Sequence, residues 1–283
     1  MFYHKRSWLP LGVDIDGEAI SVVAVEATKA GCIVKAAATE AIPRATEAER
    51  DLAAANVLRT LHRSLKIDDR RCILGAPSEH IIVRAFRVPP RTRRSEAERA
   101  ALLEADTIAC WPSHDRLIAL DPIAGSGGWM MLSIARASAI ERVVRLVKLA
   151  GLKPVAVDAP LCAWRRIAGG SDALLDLRRD RAGLFLFGNP IGSAELFASG
   201  LSDDRLVAQI RATFMQARRD GLCDIQRIAI EGDAARCATI EAQLGADGYE
   251  VRALSLGGSD APTWAFAYAL ASWSIVGEHE RAA

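Results

Sequence analysis

The sequence predicts an α/β protein built as two lobes of related pattern. Three observations carry that expectation. The chain has 283 residues, more than one ordinary domain of about 150 residues. Short β-branched runs alternate with segments of helical period. After Gly169-Gly170 the opening order of three strands, a helix, a strand and a helix returns, and such duplication marks two related lobes.

Leu11 to Ile15 and Ala19 to Val25 are apolar runs joined by Asp16-Gly17-Glu18, a hairpin signal. Cys32 to Ala38 supplies a third strand. Thr46 to Leu65 reads as a helix opened by the capping box Thr46-Glu47-Ala48-Glu49, with Leu52, Val57, Leu58, Leu61 and Leu65 assigned to one face. Arg71 to Ala76 is a strand closed by Pro77, and Ile81 to Val88 another, ended by Pro89-Pro90. A helix runs from Ser95 to about Cys110. Arg116 to Ile123 and Trp129 to Ala135 are strands joined through Gly125-Ser126-Gly127-Gly128. The helix Ser138 to Ala150 ends at Gly151, an expected C-cap. Lys153 to Val157 is a strand and Pro160 to Ala168 a helix.

In the second half Ala173 to Leu177, Gly183 to Phe187 and Ser193 to Ala198 are strands, followed by a helix from Asp203 to Arg219. Arg227 to Ile230 and Tyr249 to Leu254 are strands; Ala234 to Leu244 and Thr263 to Ile275 are helices.

Apolar residues form 51% of the chain and charged residues 25%, a composition that builds cores and excludes disorder as the main state. The 36 Lys and Arg nearly balance the 35 Asp and Glu, a net charge of +1, so no nucleic-acid partner is expected. The six cysteines form no C-x-x-C and no His pair has zinc-ligand spacing, which reads as free, mostly buried thiols in a reducing compartment. The basic N-terminus lacks the apolar core of a signal peptide. No window suits a transmembrane helix, so a cytoplasmic location is expected.

Several segments carry a family pattern in order: Leu11-Gly12-Val13-Asp14-Ile15, Cys72-Ile73-Leu74-Gly75-Ala76-Pro77, and Arg84-Ala85-Phe86-Arg87-Val88-Pro89-Pro90. Ala150-Gly151-Leu152-Lys153-Pro154-Val155-Ala156-Val157-Asp158 and Ala261-Pro262 with Ala269-Leu270-Ala271 continue it. Together they resemble the PilM family of type IV pilus assembly proteins, a branch of the actin-like ATPases. The resemblance implies an actin-like (ribonuclease H-like) two-lobed α/β fold. Its first lobe would span residues 1–168, with an inserted subdomain at about 78–151. The second lobe, residues 169–283, would be reduced, because only Ser199-Gly200-Leu201-Ser202 stands where the family inserts a subdomain that covers the nucleotide.

In that family ATP lies between the lobes on glycine-containing turns, where a Cβ would keep backbone amides from phosphate. Here the matching positions are Asp14, Asp16, Gly17, Asp176, Arg178 and Gly232. Asp16 stands where the family has glycine. Asp176-Leu177-Arg178 replaces Asp-x-Gly, and Arg179-Asp180-Arg181 fills the next turn. Glu231-Gly232-Asp233 keeps one glycine between two acids. The expectation is a degenerate nucleotide site without hydrolysis, without a resident cofactor or metal, and with ATP and magnesium disfavoured.

The implied function is a cytoplasmic scaffold of type IV pilus or competence-pilus assembly, at the inner face of the inner membrane. Family members bind the N-terminal cytoplasmic segment of a bitopic membrane protein, PilN, and the pilus assembly ATPase is a further expected partner. The docking groove is placed at Ile82, Arg84, Phe86, Trp111 and Asp158 as a structural guess. The alternatives are an active actin-like ATPase or kinase using Asp14 and Asp176, and the cytoplasmic module of a GspL-like type II secretion protein.

Other clusters carry less. Gly125-Ser126-Gly127-Gly128 lacks the lysine and helix of a phosphate loop. Ser113-His114-Asp115 cannot form a triad, because adjacent residues do not face one another. Arg91-Thr92-Arg93-Arg94 is a solvated basic loop or a contact for acidic lipid or an acidic partner.

Overall fold

The computed structural model describes residues 9–28, 31–89, 91–122, 128–178, 182–188, 194–197, 200–221, 224–256, 259–260 and 263–273. The chain begins with strands β1 (Leu11–Ile15), β2 (Ala19–Thr28) and β3 (Gly31–Ala41), then helix α1 (Glu47–Ser64) and strand β4 (Arg71–Gly75). Strand β5 (Ile81–Arg87), helix α2 (Arg94–Ile108) and strands β6 (Arg116–Pro122) and β7 (Trp129–Arg136) follow. Next come α3 (Ala137–Leu149), β8 (Lys153–Asp158), α4 (Pro160–Ile167), β9 (Ala173–Leu177), β10 (Ala182–Leu186) and β11 (Ala194–Phe197). The remainder is α5 (Asp203–Arg219), β12 (Arg227–Gly232), α6 (Ala234–Ala246) and β13 (Glu250–Ala253). A short hairpin, β14 (Ser255–Leu256) and β15 (Ser259–Asp260), precedes α7 (Ala265–Ala271).

These elements form two units, one from Met1–Pro77, Ser138–Arg166 and Pro262–Ala283, the other from Ser78–Ala137 and Ile167–Ala261. In the first unit the sheet order is β3-β2-β1-β4-β8. The Asp-Gly turn makes β1 and β2 antiparallel, while α1 and α3 supply the crossovers that leave β1, β4 and β8 parallel. Alternation decides the faces. Leu11, Val13, Ile20, Val22 and Leu74 pack with Ala54, Ala55 and Leu58 of α1 and Leu146 and Val147 of α3. Val23 and Val25, on the other face, pack with Ala267 and Ala271 of α7. That helix lies so close that a Cβ on Gly12 would stand 1.7 Å from the Ala267 carbonyl oxygen.

The second unit repeats the pattern in the order β11-β10-β9-β12-β13. Strands β9 to β11 are antiparallel and β9, β12 and β13 parallel. Leu175, Leu177, Ile228 and Ile230 pack with Leu206, Ile210 and Phe214 of α5 and Ile240 and Leu244 of α6. Residues Ser78–Ala137 contribute a separate antiparallel sheet of order β5-β7-β6. Helix α2 lies on one face of it. Ala97, Ala101 and Ala105, four residues apart, are its buried stripe, and such small side chains bring a helix close to a sheet.

Two expectations from the sequence change. Leu52 is 57% exposed, and Ala54 and Ala55 take the buried face of α1 instead. The six residues from Leu52 to Leu58 carry it roughly 120° round the helix from that face. Trp273, which the periodicity of the helix expected over Thr263 to Ile275 assigns to the core, is 38% exposed. Among the described residues Cys32, Cys72, Cys110, Cys162 and Cys237 are free thiols, with Cys72 buried and Cys110 exposed. Cys223, Gly125-Ser126-Gly127 and Arg179-Asp180-Arg181 lie outside the described residues. No described helix is long and apolar enough to cross a membrane.

Candidate functional site

In the first unit the expected nucleotide residues sit where β1 turns into β2. Asp14 is buried on the face of β1 that also carries its cross-strand neighbour Ser21. The Asp16 carboxylate accepts the N–H groups of Glu18 at 2.9 Å and Ala19 at 2.6 Å. Asp16 is therefore an Asx-turn residue, and the Glu18 and Ala19 amides are spent on it. Arg50 donates to the Gly17 carbonyl. A Cβ on Gly17 would meet only the Arg50 guanidinium, at 3.6 Å, so nothing approaches this glycine closely enough to require it.

In the second unit the matching residues end β9 and β12. Asp176 and Glu231 are both buried and face each other in register across these parallel strands. The Arg178 guanidinium donates to the Asp176 carboxylate at 3.2 Å. Arg236 holds the Arg178 carbonyl at 2.9 Å and is itself paired with Asp203 at 3.1 Å, so the starts of α5 and α6 fix the end of β9. Gly232 has φ 130°, and a Cβ there would lie 2.1 Å from the Leu177 carbonyl oxygen. Only glycine fits. Beyond it Asp233 caps α6, its carboxylate accepting the N–H groups of Ala235 and Arg236 at 3.1 Å each. Helix N-termini attract anions; this one already holds an anion from its own chain. Among the described residues no three His, Cys, Asp or Glu side chains form a metal-binding group.

The residues expected to hold a partner separate into two sets. Ile82, Phe86 and Trp111 come together, packed with Ile118 and Leu120 against Ala101, Ala105, Leu132 and Ile134 under α2. Arg84 shares their face of β5 and pairs with Glu104 of α2 at 3.6 Å. Asp158 belongs to the first unit. It is buried against Arg166, which also donates to the Ala269 carbonyl of α7 at 3.1 Å. Burial pushes the Asp158 carboxyl above the usual range, and Arg166 pulls against that rise.

The opposite face of the inserted sheet was not singled out in the sequence. Pairing places Ile81, Val83 and Ala85 of β5, Met131 and Ala135 of β7, and Leu117 and Ala119 of β6 on it. Leu117 is 46% exposed, Ala119 is exposed, and the others are half-buried. The period-two alternation of β5 is the signal that could have found it. Among the described residues both outer strands, β5 and β6, pair on one side only. Elsewhere a cavity of about 190 Å³ is lined by Gly169, Gly170, Arg227 and Arg252. Its two arginines are paired with Asp172 and Glu250.

Two five-stranded sheets of matching order, each an antiparallel meander extended by parallel strands, define an actin-like α/β protein. The same fold is seen in a Bacteroides thetaiotaomicron protein with an actin-like ATPase fold, with a TM-score of 0.54, 9% identity, and coverage of 96% of this chain and 98% of that one. Residues 12–183 match the family described as type IV pilus assembly protein PilM, and the chain belongs to that family. It is similar over 94% of its length to 98% of a chain of a PilM-PilN type IV pilus biogenesis complex, with a TM-score of 0.74 and 18% identity. It is also similar to the cytoplasmic domain of EpsL, an inner membrane component of the Vibrio cholerae type II secretion system. There the TM-score is 0.58 and the identity 13%, over 96% of this chain and 95% of that one. No curated protein matches the sequence.

Proposed function

We propose that the chain is a type IV pilus assembly scaffold that holds the N-terminal cytoplasmic segment of a PilN-like membrane protein, and that it works without hydrolysing ATP. The observation that carries the docking reading is the partly exposed, largely apolar face of the inserted sheet, bordered among the described residues by the unpaired edges of β5 and β6. An extended peptide adds backbone hydrogen bonds at such an edge and sets alternate side chains into apolar contact. Membership of the PilM family and the likeness to a complex that contains PilN support this partner.

The turn chemistry supports the non-hydrolytic reading. A phosphate chain needs free backbone amides or cations, and here Asp16 and Asp233 take the amides while Arg178 is turned onto Asp176. These donors do not fit a triphosphate.

Fluorescence anisotropy with a labelled N-terminal cytoplasmic peptide of a PilN-like membrane protein tests the docking reading. Val83→Asp puts a charge on the apolar face and is expected to weaken binding about ten-fold or more, since burying one aliphatic anchor is worth roughly 1.5–3 kcal/mol. Leu103→Ser, on the outer side of α2 where Leu103 is 70% exposed, should leave it unchanged. Equal effects of the two variants, or no binding by the parent chain, would refute the assignment of this face.

A further inference from the structure

The connection from β5 to α2 carries charge that nothing described so far uses. Arg87 ends β5, and Arg91, Arg93 and Arg94 follow with no acidic residue between them. All four are exposed. Arg94 meets Glu98 at 2.9 Å, with its side chain 87% exposed. Among the described residues the guanidinium groups of Arg87, Arg91 and Arg93 have no carboxylate partner, while the Arg93 N–H donates to the Glu96 carboxylate at 3.0 Å.

The placement runs against local physics in two independent ways. Arg93 is the N-cap and Arg94 the first residue of α2. Positive charge there opposes the helix dipole, and an arginine offers no side-chain oxygen to the first helical amides. Arg91 has φ 68°, in the left-handed region that a long side chain rarely adopts. Exposed charge is kept at this turn although it disfavours both the turn and the helix.

The turn lies at one end of the inserted sheet. The Val88 N–H donates to the Gly128 carbonyl at 2.9 Å, and half-buried Trp129 starts β7 directly across from Arg87. Four guanidinium groups and an indole therefore share one tip.

We propose that this tip binds the anionic surface of a phospholipid membrane. Arginines clustered on a projecting turn suit a plane of headgroup phosphates, and tryptophan favours the level of those headgroups. The apolar face of the sheet borders the turn, but none of the large exposed apolar side chains lies on the turn itself, where a protein partner held by these charges would need its anchors. A nucleic-acid track requires a longer basic surface than one turn in a chain of net charge +1. The proposal stands independently of which peptide the sheet face holds.

Flotation of the purified chain with phosphatidylcholine vesicles, with and without phosphatidylglycerol, tests it. Binding is expected only to the vesicles that contain phosphatidylglycerol, and added salt should release it. The triple variant R91Q/R93Q/R94Q should lose about 100-fold in apparent affinity, at about 1 kcal/mol per basic residue. Its melting temperature should hold or rise, because positive charge leaves the start of α2. The control R211Q/R218Q/R219Q, on α5, should float like the parent chain. Equal flotation with both vesicle types, or a triple variant no weaker than the control, overturns the proposal. So does a chain that ignores both vesicles while its triple variant loses an acidic protein partner.

Discussion

Gly12 and Gly17 lie in one hairpin and carry opposite weights. A Cβ on Gly12 would run into the backbone of α7, which cannot swing aside as a side-chain tip can. Gly12→Ala is expected to cost at least the roughly 1–3 kcal/mol of an overpacked core. Gly17→Ala should change stability by no more than about 0.5 kcal/mol, since it lies outside the left-handed region and meets only a movable guanidinium. Urea unfolding midpoints of the two variants check the pair, and equal losses would be incompatible with this packing. The sequence drew attention to the other glycine. Asp16-Gly17 reads as a turn because turn chemistry is local. The need for Gly12 arises from a helix near the far end of the sequence, and no short-range pattern reports it. The pairing of Asp158 with Arg166 goes unannounced for a related reason, because ion pairing across elements leaves no mark on spacing.

At the scale of elements, side chains that tie strand starts together matter more than periodicity suggests. Asp172, just before β9, accepts the N–H groups of Gln226 at 3.0 Å and Arg227 at 2.8 Å at the start of β12. Burial pushes its carboxyl upward, but these two amides and the Arg227 guanidinium outweigh that effect and hold it below the ordinary value of 3.8. A lowered carboxyl favours the folded state above the ordinary value, and the gain is lost as pH falls through the lowered one. Asp172→Asn should therefore cost about 1–2 kcal/mol at neutral pH, and the gap to the parent chain should close in acid. Thermal melts at neutral and acidic pH measure it; a gap that persists in acid would mean that the carboxylate charge is not the cause. Element positions themselves were largely legible. The hairpin of β14 and β15 was not, because two-residue strands carry no readable alternation.

At the scale of the whole molecule, the recurrence seen after Gly169-Gly170 appears as two sheets of the same strand order. Hydrophobic periodicity marked part of the buried face of α1, with Leu52 the exception, but it could not say against what that face packs. That is why the open face of the inserted sheet emerged only from strand pairing. The spent amides at Asp16 and Asp233 lead to an expectation for the intact chain: isothermal titration with ATP and magnesium should show no dissociation constant of about 10 μM or tighter, roughly −7 kcal/mol. A tighter site would restore the ATPase or kinase reading.

The seating of α7 on β1 has a consequence for how the protein is made. Strands β1 and β2, made early, are covered on one face by residues 265–271, the last described helix. Until those residues emerge, Val23 and Val25 lack their apolar cover and Gly12 its close neighbour. Domains tend to fold as they are synthesised, N-terminal parts first; here the sheet of β1 and β2 must wait for residues 265–271. During translation it is a half-finished surface, and a message cut short before residue 265 would leave it so.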